Sequence, residues 1–149
     1  MPQHAFTLDI PRPVAVVFDF LARPANHVQL APPELRLQLV EGPERVQLGT
    51  LLRWKARRMG VTQSLVNEVT AFEEAALIEE RQRQGPFKRW VFAHRFTASA
   101  AGTRLVEELT YEPPGGMLGL LVTADAIRRD LETLFAYREK RLRDLFGDS

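Results

Sequence analysis

The sequence predicts an α+β fold: a curved seven-stranded antiparallel sheet, two short helices after the first strand, and a long C-terminal helix over the concave face. Three observations predict it. From Leu35 to Tyr111 apolar residues recur every second position, in runs separated by short turns rich in Gly and Pro. Such turns join antiparallel neighbours, because parallel strands need a long crossover. From Ile127 to Leu145 the apolar period becomes helical, and a sheet with one apolar face buries it against such a helix.

Each element has its own signal. Phe6, Leu8 and Ile10 alternate with Thr7 and Asp9 as a half-buried strand. Pro11 and Pro13 end it, and Pro13 suits the first turn of a helix whose stripe is Val14, Val17, Phe18 and Leu21. Pro24 interrupts that helix. Ala25 to Leu30 makes a second, stopped by Pro32 and Pro33. Leu35, Leu37 and Leu39 form the second strand, turned at Gly42-Pro43. Leu52, Trp54 and Ala56 mark the third, which ends at Met59-Gly60. Leu65, Asn67 and Val69 share a face of the fourth. Ile78, Glu80 and Gln82 lie on the fifth, before Gly85-Pro86. Trp90, Phe92, His94 and Phe96 give the clearest alternation, turned by Ser99 to Gly102. Leu105, Glu107, Leu109 and Tyr111 complete the sheet before Pro113. The last helix carries Ile127, Leu131, Leu134, Phe135, Arg138, Leu142 and Leu145, with Gly147 as its stop.

The chain has 149 residues, so residues 1–149 are expected to form a single domain. Apolar residues make up 45% and charged residues 26%, a globular composition. Without cysteine there is no disulfide, thiolate zinc site, iron–sulfur cluster or thiol nucleophile. Twenty basic against 19 acidic residues argue against a nucleic-acid partner. The N-terminus lacks the basic and apolar regions of a signal peptide. The longest uncharged apolar stretch, Pro113 to Ala124, is short of the ~20 residues that span a bilayer. No stable membrane insertion is expected, and the default location is the cytoplasm.

Alternation also fixes which side chains point inward. If Trp90 faces in, so do Phe92, His94 and Phe96, and with them Trp54, Leu65, Glu80, Gln82, Glu107 and Tyr111. Leu131, Phe135 and Arg138 face them from the helix. This wall is apolar with a few polar groups, the make-up of a small-molecule pocket. Glu80, Gln82, His94 and Glu107 are the polar exceptions. A buried carboxylate needs a cation or donors, and Arg138, out of place on an apolar stripe, is expected to pair with Glu80 or Glu107. Arg58 is a less certain cation. The cluster either grips a ligand or docks the helix. His94 is either a hydrogen-bonded core histidine or a general base polarised by Glu80 or Glu107. His4, His27 and His94 have no metal-ligand spacing, and no phosphate loop is present, so neither metal nor cofactor is expected. Gly115, Gly116 and Gly119, with Met117, Leu118 and Leu120, form either a strand-to-helix turn or a gate with an apolar lip.

The order of elements, with GPFKRWVFAHRF (Gly85 to Phe96), the Gly102-Thr103 pair, YEPPGGMLG (Tyr111 to Gly119) and LFAYR (Leu134 to Arg138), resembles the START and SRPBCC superfamily. That superfamily includes the birch-pollen allergen and polyketide cyclase/dehydrase-like proteins, and the motifs are similar to those of a bacterial subgroup. Phe92 stands where that subgroup usually has a second histidine. The resemblance implies a helix-grip fold around a hydrophobic cavity that takes a small hydrophobic ligand such as a lipid, isoprenoid or polyketide-like compound. The other readings are a cyclase/dehydratase using His94 with Glu80 or Glu107, and a non-enzymatic protein-interaction module.

Overall fold

The computed structural model describes residues 3–58, 60–114 and 123–147. Strand β1 (Gln3–Ile10) leads into helix α1 (Val14–Leu21), then two 3-10 segments, Pro24–Leu30 and Pro33–Leu35. Six strands follow: β2 (Gln38–Glu41), β3 (Leu51–Arg58), β4 (Val61–Glu73), β5 (Leu77–Gln84), β6 (Arg89–Ser99) and β7 (Gly102–Glu112). Helix α2 (Ala124–Phe146) closes the chain. All seven strands make one curved antiparallel sheet in the order β1-β7-β6-β5-β4-β3-β2.

Strand alternation sets the two faces of the sheet. On β3, Leu52, Trp54 and Ala56 are buried while Arg53, Lys55 and Arg57 are exposed. On β7, Thr103, Leu105, Glu107, Leu109 and Tyr111 are all buried. Gly102 opens β7 with φ +140°, and a Cβ there would stand 2.5 Å from the Ile10 carbonyl oxygen. Only glycine lets the β6–β7 turn lie this close to the end of β1.

Helix α2 is 23 residues long, roughly 35 Å at 1.5 Å per residue. Thr123 caps it by accepting from the Ala126 amide, and Gly147 ends it at φ +92°. Its buried stripe is Ile127, Leu131, Phe135, Arg138, Leu142 and Phe146.

Three sequence expectations need correction. The second short helix is a 3-10 segment that includes Pro24. Short connectors commonly take this tighter form. Strand β2 begins at Gln38 instead of Leu35: Pro33 starts a 3-10 turn through Leu35, and Arg36 then takes a left-handed conformation before pairing can begin. On α2, Leu145 is exposed and Phe146 buried, because steps of four residues after Arg138 land on Leu142 and Phe146. The 115–122 stretch, including the expected gate of Gly115, Gly116 and Gly119 with Met117, Leu118 and Leu120, lies outside the described residues, as does Met59.

The apolar interior divides in two along the helix. Leu142 and Phe146 join α1 residues Val17, Phe18 and Leu21 with Trp54, Ile78, Phe96 and Leu105. Ile127, Leu131 and Phe135 join Phe87, Phe92, Leu109 and Tyr111. Arg138 falls between these sets on α2, as His94 does between Phe92 and Phe96, and Glu107 between Leu105 and Leu109. A polar seam therefore separates the two apolar clusters.

Candidate functional site

The seam is built by register. His94 on β6 lies directly opposite Glu107 on β7, with Ile78 of β5 on the other side of His94. Arg138 reaches down from α2 and forks onto Glu107: Nε donates to Oε1 at 2.6 Å and Nη2 to Oε2 at 2.8 Å. His94 Nδ1 donates to Oε2 of the same carboxylate. All three side chains are almost fully buried. Arg138 also lies over the Phe92 ring, 5.2 Å from its centre, a cation–π geometry.

His27, from the Pro24–Leu30 segment, completes the arrangement. Its Nε2 lies 2.8 Å from the Leu21 carbonyl oxygen, which can only accept, so Nε2 carries the proton. Its Nδ1 then accepts from Arg138 Nη1 at 3.3 Å. Burial first, then the charges of Arg138 and His94, push His27 down to about 3, so the ring is neutral at ordinary pH. For Glu107, burial alone would raise the pKa. The Arg138 and His94 charges and their hydrogen bonds outweigh it and hold the carboxyl well below the usual range.

Glu80 differs. It sits on β5 opposite Phe92, one inward-facing row along from the His94–Glu107 row, and opposite Val69 on β4. Its side chain has no hydrogen bond or ion pair among the described residues. Burial pushes its carboxyl pKa up, with the Arg138 and His94 charges opposing only in part. The alternatives read from the sequence therefore resolve: Arg138 pairs with Glu107, and Glu80 is left open. Arg58 serves neither, since it pairs with Asp130 of α2.

Glu80 lines a pocket of about 160 Å³ between sheet and helix. The walls include Trp54, Leu65, Trp90, Phe92, Phe135 and Phe87, with Leu30, Leu35 and Leu37 from the segments after α1. Asn67, Gln82 and Gln63 add polar groups. Gln82 donates to the Phe87 carbonyl at 2.6 Å, tying β5 to the loop before β6. The pocket adjoins an outer hollow of about 670 Å³, with which it shares Leu35, Arg58, Gln63, Pro86, Phe87 and Leu134. Among the described residues no three His, Cys, Asp or Glu side chains converge on a possible metal position.

Of the side chains expected to line the pocket, Trp54, Leu65, Glu80, Gln82, Trp90, Phe92, Phe135 and Arg138 do so. His94, Phe96, Glu107, Tyr111 and Leu131 share the inward face but do not line the pocket; the two polar ones form the seam and the other three fill core. Alternation gives the face of a residue, not its depth. The sequence reading missed His27 and Phe87 as pocket residues. Both lie where no strand or helix period sets side-chain direction. An aromatic residue inside the Gly85-Pro86 turn was the one available signal for Phe87.

This architecture, a curved sheet gripping a helix across a pocket, has a match in sequence. Residues 10–136 match the family described as polyketide cyclase / dehydrase and lipid transport. The chain belongs to that family. As a member of the polyketide cyclase/dehydrase and lipid transport family, it has an SRPBCC-type, ligand-binding fold. Solved structures share this family fold. Protein CV1439 from Chromobacterium violaceum aligns with a TM-score of 0.76 at 12% identity, over 100% of each chain. TTHA0849 from Thermus thermophilus aligns at 0.63 with 24% identity, over 97% of this chain and 99% of that one. Major latex-like protein 151 from Panax ginseng aligns at 0.62 with 15% identity, over 94% and 96%. No curated protein matches the chain in sequence. Among the described residues of this family member, no helix is long and apolar enough to cross a membrane.

Proposed function

We propose that this chain binds an apolar or aromatic small molecule, such as a lipid, isoprenoid or polyketide-like compound, between the sheet and α2. The observation that carries this reading is the aromatic-walled pocket of about 160 Å³ opening to a larger hollow. An apolar cavity of roughly 150 Å³ accepts a benzene-sized ring. The inner pocket suits one ring, and the outer hollow leaves room for the rest of a larger ligand. The expected cytoplasmic location belongs to the same reading.

One contact favours the alternative of a cyclase/dehydratase: His94 donates to a carboxylate, as a polarised general base would. Its position weighs against it, since neither His94 nor Glu107 lines the pocket.

The test is native mass spectrometry of freshly purified protein, followed by displacement of a fluorophore such as anilinonaphthalene sulfonate. Binding predicts a retained small-molecule mass, or displacement by apolar ring compounds that fails in a pocket-filling Leu65→Trp variant. The absence of both a retained mass and any displacement would contradict it.

A further inference from the structure

Two features of the inner pocket point in one direction. Its cation, Arg138, is fully engaged. Two guanidinium nitrogens are on Glu107, the third is on His27, and the plane lies over Phe92. Its acid, Glu80, is not engaged: the carboxyl lines the pocket with no hydrogen bond or ion pair among the described residues. Asn67, on the same wall, also has no side-chain hydrogen bond, and Gln63 Oε1 is buried without a partner. The open polar groups of this pocket therefore include a carboxyl and amides able to accept, while its second cation, Arg58, is paired with Asp130.

Glu80 is half-buried, and an acid partly removed from water without a partner gains when a cation arrives. The walls around Glu80 are also those that attract an organic cation. Trp54, Trp90, Phe87 and Phe92 line the pocket, and aromatic rings attract ammonium groups. We infer that the inner pocket takes a ring-sized ligand bearing a protonated amine, with the ammonium on Glu80 and the ring among the aromatic walls. The inference rests on reading this pocket as the ligand site. The charged groups nearest Glu80 are Arg138, Glu107 and His94. Arg138 and Glu107 are matched as an ion pair, so their joint field on an incoming cation is weak, and a charge on His94 would oppose that cation. Burial raises the Glu80 pKa, and an ammonium partner would lower it again.

The test is calorimetric titration of the full chain with three probes of similar size: benzylamine, benzyl alcohol and benzoate. Benzylamine is expected to bind roughly tenfold more tightly than benzyl alcohol, the gain of a charge-assisted pair over a neutral one, and benzoate most weakly. In Glu80→Gln, benzylamine is expected to fall to the level of benzyl alcohol, whose own affinity stays within about twofold. Benzyl alcohol or benzoate binding as well as benzylamine would overturn the inference while leaving a ring-binding pocket intact. An amine preference that survives in Glu80→Gln would overturn it as well. Failure of all three probes to bind would remove the pocket reading, and this inference with it. The wild-type ranking does not depend on how the variant folds.

Discussion

Two acidic side chains on neighbouring inward rows of one sheet have opposite fates. Glu107 accepts from Arg138 twice and from His94, and is sealed beneath the helix. Glu80, opposite Phe92 on the adjacent strand, has no hydrogen bond or ion pair among the described residues and faces a pocket. The difference follows from register. The His94–Glu107 pair coincides with the place on α2 where Arg138 falls between Phe135 and Leu142. Glu80 is displaced by one inward-facing row, two residue pairs, toward the Phe92 ring that lies beneath the guanidinium. A buried polar group that is fully satisfied docks a helix. A half-buried acid without a protein partner is available to a ligand.

The contrast can be broken most forcefully at Arg138. Arg138→Met strands a buried carboxylate and should cost about 3–5 kcal/mol in chemical denaturation. The next largest effect separates core from pocket wall on the helix. Leu131, 1% exposed, should lose about 2–5 kcal/mol on change to alanine. Leu134, half-buried and shared by pocket and outer hollow, should lose less than about 1.5 kcal/mol on the same change, while weakening fluorophore binding.

Acidification sharpens the comparison because the groups carry opposite signs. His27 has a folded pKa of about 3, below its ordinary value of 6.5. The unfolded chain therefore binds the proton first, and stability falls as pH drops from about 6.5 toward 3. Glu107, also depressed, contributes stability above its ordinary 4.5 that is lost as pH falls below it. Denaturant midpoints should decline across this range, and His27→Gln should flatten the part above pH 4.5. Glu80, with a raised folded pKa, works in reverse: its contribution is present below its ordinary 4.5 and is lost as pH rises through the folded value. Glu80→Gln should accordingly stabilise the ligand-free protein at pH 7 by on the order of 1 kcal/mol, with little effect at pH 4. Equal effects at both values would show that the Glu80 carboxyl is solvated.

The sheet and its faces were legible because a period of two runs cleanly through β3 and β7 and most of the strands between them, broken on β4 by bulges after Val66 and Val69. Arg138 was legible as a misplaced charge on an apolar stripe, and the sequence narrowed its partner to two residues. Choosing between them required the cross-strand register and the seat of the helix, both set by tertiary packing. The same holds for depth: Phe96 and Tyr111 face inward with Trp54 and Trp90, yet fill core instead of lining the pocket. His27 and Phe87 were not legible because a 3-10 segment and a turn impose no face on their side chains. Leu145 was misplaced because a stripe fitted to the middle of α2 drifts from the true one at its end.

The division of labour between the two acids is tested most directly by paired double-mutant cycles in denaturant. One joins Arg138→Met with Glu107→Gln, the other Arg138→Met with Glu80→Gln. The structure predicts coupling of about 1–3 kcal/mol for Glu107, with part of the Arg138 loss recovered, and coupling below about 0.5 kcal/mol for Glu80. Strong coupling to Glu80, or none to Glu107, would contradict it.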